Sequence, residues 1–131
     1  MHAMDIRIYY EDVDFGGVVY YANYLRFFER GRTEALRALG VDQTALKDAG
    51  LVFVVRRFET DYLRPARFDD LIRIETRVLR VAGASVEMAQ RALREGVELA
   101  LARARIACMT FDGRPARLPA DLRAALAALA G

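Results

Sequence analysis

Apolar side chains recur every second residue in several stretches and every third or fourth in one other, and that division predicts the elements. Asp5 to Glu11 alternates, with Ile6, Ile8 and Tyr10 on one side and Asp5, Arg7 and Tyr9 on the other, which predicts a half-buried strand. From about Tyr20 to Leu39 the positions Tyr24, Phe27, Phe28, Gly31, Ala35, Leu36 and Leu39 fall at helical spacing, and Gly40 supplies a C-cap. This stripe is wide and aromatic, as expected of a deeply packed helix. Gly31 costs about 1 kcal/mol against Ala inside a helix, so a close-pressing sheet is expected there. A short helix is predicted over Gln43 to Ala49.

The rest reads as sheet. Leu51 to Tyr62 is β-branched and apolar at its start, and Pro65 ends it. Leu71 to Val81 points Ile72, Ile74, Thr76 and Val78 inward. Ser85 to Arg94 is a third long strand, turned at Glu95-Gly96 into Val97 to Phe111, which sets Ala100, Ala102, Ala104, Ile106 and Cys108 on one face. Pro119 to Leu129 predicts a terminal helix. Consecutive hairpin-joined strands make an antiparallel sheet. The expected fold is α+β: one antiparallel sheet wrapped around one long central helix, the hotdog arrangement, in a single domain over residues 1–131. Long strands leave an exposed edge that invites a second subunit.

Composition narrows the function classes. At 131 residues, with 54% hydrophobic and 29% charged, the chain can bury a core without staples. A net charge of +2, without a basic patch carrying interleaved aromatics, gives no support for nucleic acid as a partner. Cys108 is the only cysteine, which fits a reducing compartment, and there is neither a membrane-length apolar run nor a secretory leader, so a cytoplasmic protein without membrane insertion is expected. The only histidine is His2, near the chain start. Ser-His or Cys-His nucleophile systems and His-ligated catalytic zinc are thereby disfavoured, and acid–base or nucleophilic chemistry falls to a carboxylate.

Carboxylates gather in one place. Glu11-Asp12-Val13-Asp14-Phe15-Gly16-Gly17 lies between the first strand and the long helix. Free N–H donors at a helix start can stabilise a developing oxyanion. A nucleophile or base beside such donors is what acyl transfer needs. Capping is the competing role, because acidic residues before a helix commonly serve only its dipole. Calcium binding does not fit: Asn23 stands where the loop from Asp12 would need its Glu.

The stretch Tyr9 to Tyr24, followed by Phe28-Glu29-Arg30-Gly31-Arg32-Thr33-Glu34, resembles the signature of the 4-hydroxybenzoyl-CoA thioesterase family, nearest its Tol–Pal-associated, YbgC-like branch. A second patch, Phe53 to Arg57 and Tyr62-x-x-Pro65-Ala66-Arg67-x-Asp69-Asp70, supports this, and the similarity spans nearly the whole chain. The resemblance implies a hotdog acyl-CoA thioesterase that needs no cofactor or metal, CoA being part of the substrate. It implies a homo-oligomer, a dimer or a tetramer of dimers, with active sites between subunits. Asp14 matches the catalytic carboxylate. The backbone N–H near Tyr21 would polarise the thioester carbonyl, and Gly17 would let the backbone approach the substrate. YbgC-like members usually carry His at the Tyr21 position, which bears on substrate class.

Other residues have alternative roles. Tyr20 could line an acyl pocket, whereas Tyr24 on the apolar stripe fits the core. Glu29 could be a second carboxylate or an ion-pair partner. Arg64, Arg67 and Arg80 could hold CoA phosphates. Acyl-carrier protein is a possible carrier in place of CoA. An acyl-CoA-binding or scaffold module without catalysis is the alternative function, and the Asp14 motif argues against it.

Overall fold

The computed structural model describes residues 1–130. Five strands form one antiparallel sheet: β1 (His2–Arg7), β2 (Leu51–Tyr62), β3 (Leu71–Val81), β4 (Ser85–Arg94) and β5 (Val97–Thr110), in the order β1-β3-β4-β5-β2. The long helix α1 (Asn23–Ala38) lies against one face, with α2 (Gln43–Asp48) leading into β2 and α3 (Ala120–Leu126) closing the chain. This is the hotdog arrangement expected from the sequence. β2, β3 and β4 run over the predicted residues.

Two predicted boundaries need correction. The first strand spans His2–Arg7 rather than Asp5 to Glu11, and Tyr10 is exposed rather than facing the core. After Arg7 the chain leaves the sheet for a 3-10 turn, Tyr10–Asp12. The long helix starts at Asn23 rather than Tyr20, because Tyr20 to Ala22 form the turn that leads into it.

The core lies between α1 and the sheet in two blocks. Tyr24, Phe27 and Phe28 pack on Ile72, Ile74 and Ala100, while Ala35 and Leu36 pack with Val78, Met88, Cys108 and Leu126. Between the blocks the helix meets the sheet most closely, at Gly31. A Cβ there would stand 2.7 Å from Ile74 Cγ2 and 3.0 Å from Gln90 Nε2. A polar pin crosses this waist. The Gln90 amide donates to the Phe28 carbonyl (2.8 Å) and to Thr76 Oγ1 (2.9 Å), and accepts from the Arg32 guanidinium (2.9 Å). With both amide donors and the oxygen engaged, a buried glutamine is tolerated at the sheet centre.

β1 and β2 are the sheet edges. β2 is twelve residues long, and Val54 and Val55 on it are exposed.

Candidate active site

The segment Val13 to Val19 folds as a small hairpin. Val13 pairs with Val19, the Asp14 N–H donates to the Val18 carbonyl (2.9 Å) and the Gly17 N–H donates to the Asp14 carbonyl (3.0 Å). A three-residue loop of this kind needs a left-handed residue at its last position, and Gly17 supplies it at φ +77°. Nothing lies within 4 Å of a Cβ placed on Gly17. The turn therefore requires this glycine by its backbone angle.

The two aspartates of Asp12-x-Asp14 do different things. Asp12 is buried. Its carboxylate accepts from the Tyr9 N–H (2.8 Å) and the Asn23 side-chain amide (2.7 Å), and its carbonyl accepts from the Tyr20 N–H (3.0 Å). Asp14 is exposed at the hairpin mouth. Its Oδ1 accepts from the Gly16 N–H (2.9 Å), an Asx turn. Among the described residues, Oδ2 has no hydrogen-bond donor and no cation lies within 4 Å of the carboxylate. One oxygen fixes the side chain and the other is available.

At the base of the hairpin the helix begins, though its first donors are taken. The N–H groups of Asn23, Tyr24 and Leu25 donate to the carbonyls of Tyr20 (2.8 Å), Tyr21 (3.3 Å) and Ala22 (3.1 Å). The available donors are one step earlier: among the described residues, the N–H groups of Tyr21 and Ala22 have no protein acceptor. Tyr21 is held from the sheet side, where the Tyr62 hydroxyl donates to its carbonyl at 2.9 Å. The Tyr20 and Tyr21 rings meet edge to face at 5.0 Å, and both are exposed.

A second turn backs the hairpin. Val18 pairs with Arg67, and the Val19 N–H donates to the Ala66 carbonyl at 2.8 Å. Asp70 holds that turn, accepting from the Arg67 N–H (2.8 Å) and the Arg94 guanidinium (2.7 Å). Burial raises the Asp70 pKa, but these donors outweigh it and leave the carboxyl below its ordinary value.

The arginines singled out in the sequence are dispersed. Arg64 lies just beyond β2 and donates to the Glu98 carbonyl at 2.7 Å. Arg80 pairs with Glu87 near the far end of β3, roughly 30 Å along the strand from the Arg67 turn. Within one chain it is not brought to Asp14. Glu29 accepts from the Thr33 hydroxyl at 2.8 Å and forms no ion pair with Arg56 or Arg57. Sequence reasoning passed over Asp12, Asn23, Tyr62 and Asp70 as supports of the site. Their signal is pairing across distant segments, which local pattern does not carry.

Comparison with known proteins agrees with this architecture. The thioesterase-like superfamily profile matches residues 9–126. The chain is 44% identical over 122 residues to the acyl-CoA thioesterase YbgC of Haemophilus influenzae, covering 92% of this chain and 90% of that protein. It is 29% identical over 125 residues to the 1,4-dihydroxy-2-naphthoyl-CoA hydrolase of Thermosynechococcus vestitus, covering 90% and 86% of the two chains. A crystal structure described as a probable thioesterase from Bartonella henselae superposes with a TM-score of 0.86 at 45% identity, over 90% of this chain and 98% of the other. The chain therefore belongs to the thioesterase-like superfamily, and with it to the thioester hydrolases of the hotdog fold.

Proposed function

We propose that this protein hydrolyses acyl-CoA thioesters to the free acid and CoA, with Asp14 as the reacting carboxylate. The observations that carry the reading are an available Asp14 oxygen at the mouth of the hairpin and an available Tyr21 N–H in the turn at its base. The N–H polarises the thioester carbonyl and takes the charge that develops on its oxygen. Asp14 then acts by one of two routes. It attacks the carbonyl carbon, expelling the CoA thiolate and leaving a mixed anhydride that water cleaves; or it removes a proton from water, which attacks and expels the same thiolate. One turnover in labelled water separates the routes, since label enters the Asp14 side chain only through the anhydride.

Gly17 shapes the hairpin beside the substrate, Tyr20 flanks the acyl group and Arg64 takes a CoA phosphate. Arg80 serves in this way only from a second copy. The free β2 edge supports edge-to-edge pairing with such a copy, as a dimer or a homotetramer. CoA is the favoured carrier because the Haemophilus relative is named for acyl-CoA. No helix among the described residues is long and apolar enough to cross a membrane, and together with the single cysteine this supports a cytoplasmic location.

A thiol-release assay on wild type and Asp14→Asn over acyl-CoAs and acyl-carrier protein tests the reading. Turnover lost in a variant that still folds supports it. Equal turnover in both excludes Asp14 and turns attention to Glu29.

A further inference from the structure

Arg32 stands out among the charged side chains. It is nine-tenths buried at the waist of the molecule. One guanidinium N–H donates to Gln90, and the group lies 5.8 Å from the Phe58 ring centre. Among the described residues no carboxylate lies within 4 Å of it, and its other donors have no acceptor. Buried cations are normally paired; here the side chain is buried, while its free guanidinium nitrogens stay open to solvent beside the neighbouring cavity. Glu29, one turn earlier, lends it only a through-space interaction that partly offsets the effect of burial. That carboxylate is exposed and engaged by Thr33.

What Arg32 faces is a cavity of about 120 Å³ between α1, β2 and α3, whose walls include Leu36, Phe53, Val55, Met88 and Leu126. Apart from Glu29, Thr33 and Gln43, the lining is apolar and Arg32 is its buried cation. On α1 the cavity is lined by Glu29, Arg32, Thr33 and Leu36. Leu25, Glu29 and Arg32 follow one another at spacings of four and three, which is a single face of α1, and Tyr21 sits in the turn that leads into it. Arg32 is roughly 10 Å beyond Leu25 along the axis. An acyl chain whose carbonyl sits at the Tyr21 N–H, and which follows this face, arrives at Arg32 with its far end.

Resting on the thioesterase reading, we propose that Arg32 selects the far end of the acyl group, so that the preferred substrates are long acyl-CoAs ending in a carboxylate. The chain body fills the apolar walls, and the terminal carboxylate supplies the anion that Arg32 lacks, through charge-assisted hydrogen bonds from the free guanidinium donors. The preference depends on length. A short chain with a terminal carboxylate stops beside Leu25 and Glu29, where it meets no cation and loses hydration.

The test is thiol release from matched pairs of plain and carboxylate-ended acyl-CoAs, from short to long, by wild type, Arg32→Met and Arg32→Lys. Wild type is expected to favour the carboxylate-ended member of the long pairs by roughly tenfold or more in kcat/KM, and not that of the short pairs. Arg32→Met loses this preference while still turning over plain long chains, and Arg32→Lys keeps part of it. Calorimetry with the free long dicarboxylic and monocarboxylic acids reads the same selectivity without turnover. Turnover of plain chains with no preference at any length overturns the inference and leaves the thioesterase reading standing. Equal affinity for the two free acids overturns it whatever the turnover. A drop in Arg32→Met that is equal for both members of every pair, with a weakened oligomer, also overturns it and gives Arg32 its anion from a second copy.

Discussion

The Asn23 side-chain amide donates to Asp12 Oδ1 at 2.7 Å, tying the first residue of α1 to the turn eleven residues earlier in the chain. Through its other oxygen Asp12 holds the Tyr9 N–H. One buried carboxylate therefore fixes both ends of the segment that displays Asp14 and Tyr21. Asp12→Ala leaves two donors without acceptors and should cost about 2–4 kcal/mol. Asp14→Asn should cost less than about 0.5 kcal/mol, since Asn makes the same Asx turn and the site is exposed. Thermal melts beside thiol-release assays check the contrast: Asp12→Ala falls mainly in stability, Asp14→Asn mainly in kcat.

At Gly31 two effects oppose each other. Alanine gains about 1 kcal/mol of helix propensity. Its Cβ would stand 2.7 Å from Ile74 Cγ2 and 3.1 Å from Thr76 Oγ1, which real contacts do not allow without a shift. Overpacking of a tight core costs about 1–3 kcal/mol, and here both neighbours are fixed in the sheet centre. Gly31→Ala is expected to destabilise overall. Ile74→Ala removes Cγ2, so in denaturant unfolding it should cost less in the Gly31→Ala background than in wild type.

These two sites also mark how far the sequence was legible. Gly31 could be read, because a helix-breaking residue on an apolar stripe has few explanations besides close approach. β3 and β4 could be read to the residue, because turn residues at Gly83 and Glu95-Gly96 bound them, although alternation lapses at the register shifts between Val78 and Arg80 and between Ala92 and Leu93. The first strand could not. Ile6, Ile8 and Tyr10 continue the alternation past Arg7, and the chain is turned away there by Asp12 bonding back to Tyr9, a contact with no periodic trace. The start of α1 was misjudged for a related reason: the turn at Tyr20 to Ala22 is helical enough to carry the pattern, but its bonds span three residues. Within the acidic loop, residue chemistry left three carboxylates open, and the family resemblance singled out Asp14. The structure separates Asp12 from Asp14 by burial.

Acid should weaken the turn behind the hairpin. The Arg67 N–H and the Arg94 guanidinium hold the Asp70 carboxyl below its ordinary value. A lowered folded-state value means that Asp70 contributes stability in full above its unfolded pKa of about 3.9. That stability is lost as pH falls through the folded-state value. Asp70→Asn is expected to be less stable than wild type at neutral pH by about 1–3 kcal/mol. The difference should narrow below about pH 4. Urea midpoints for both proteins across pH 2.5 to 7, taken at steps of about half a unit, test this. A constant difference would assign the effect to packing.

Tyr24 gives the opposite expectation, a substitution that removes a polar group and stabilises. Its hydroxyl is buried and has no hydrogen-bond partner among the described residues. The Ala66 backbone approaches it without reaching hydrogen-bond geometry. Burial raises the phenol pKa, so the group is neutral and its desolvation is largely uncompensated. The ring itself is well placed, edge to face with Phe27 at 5.9 Å and with Tyr62 at 5.5 Å. Tyr24→Phe keeps those contacts, removes the orphaned oxygen and should raise stability by up to about 1 kcal/mol. Because the core role needs only the ring, thiol release should stay within about twofold of wild type, well under 1 kcal/mol of barrier. A large fall in kcat at unchanged or higher stability would instead mean that the hydroxyl acts on the Ala66–Val19 contact that backs the hairpin.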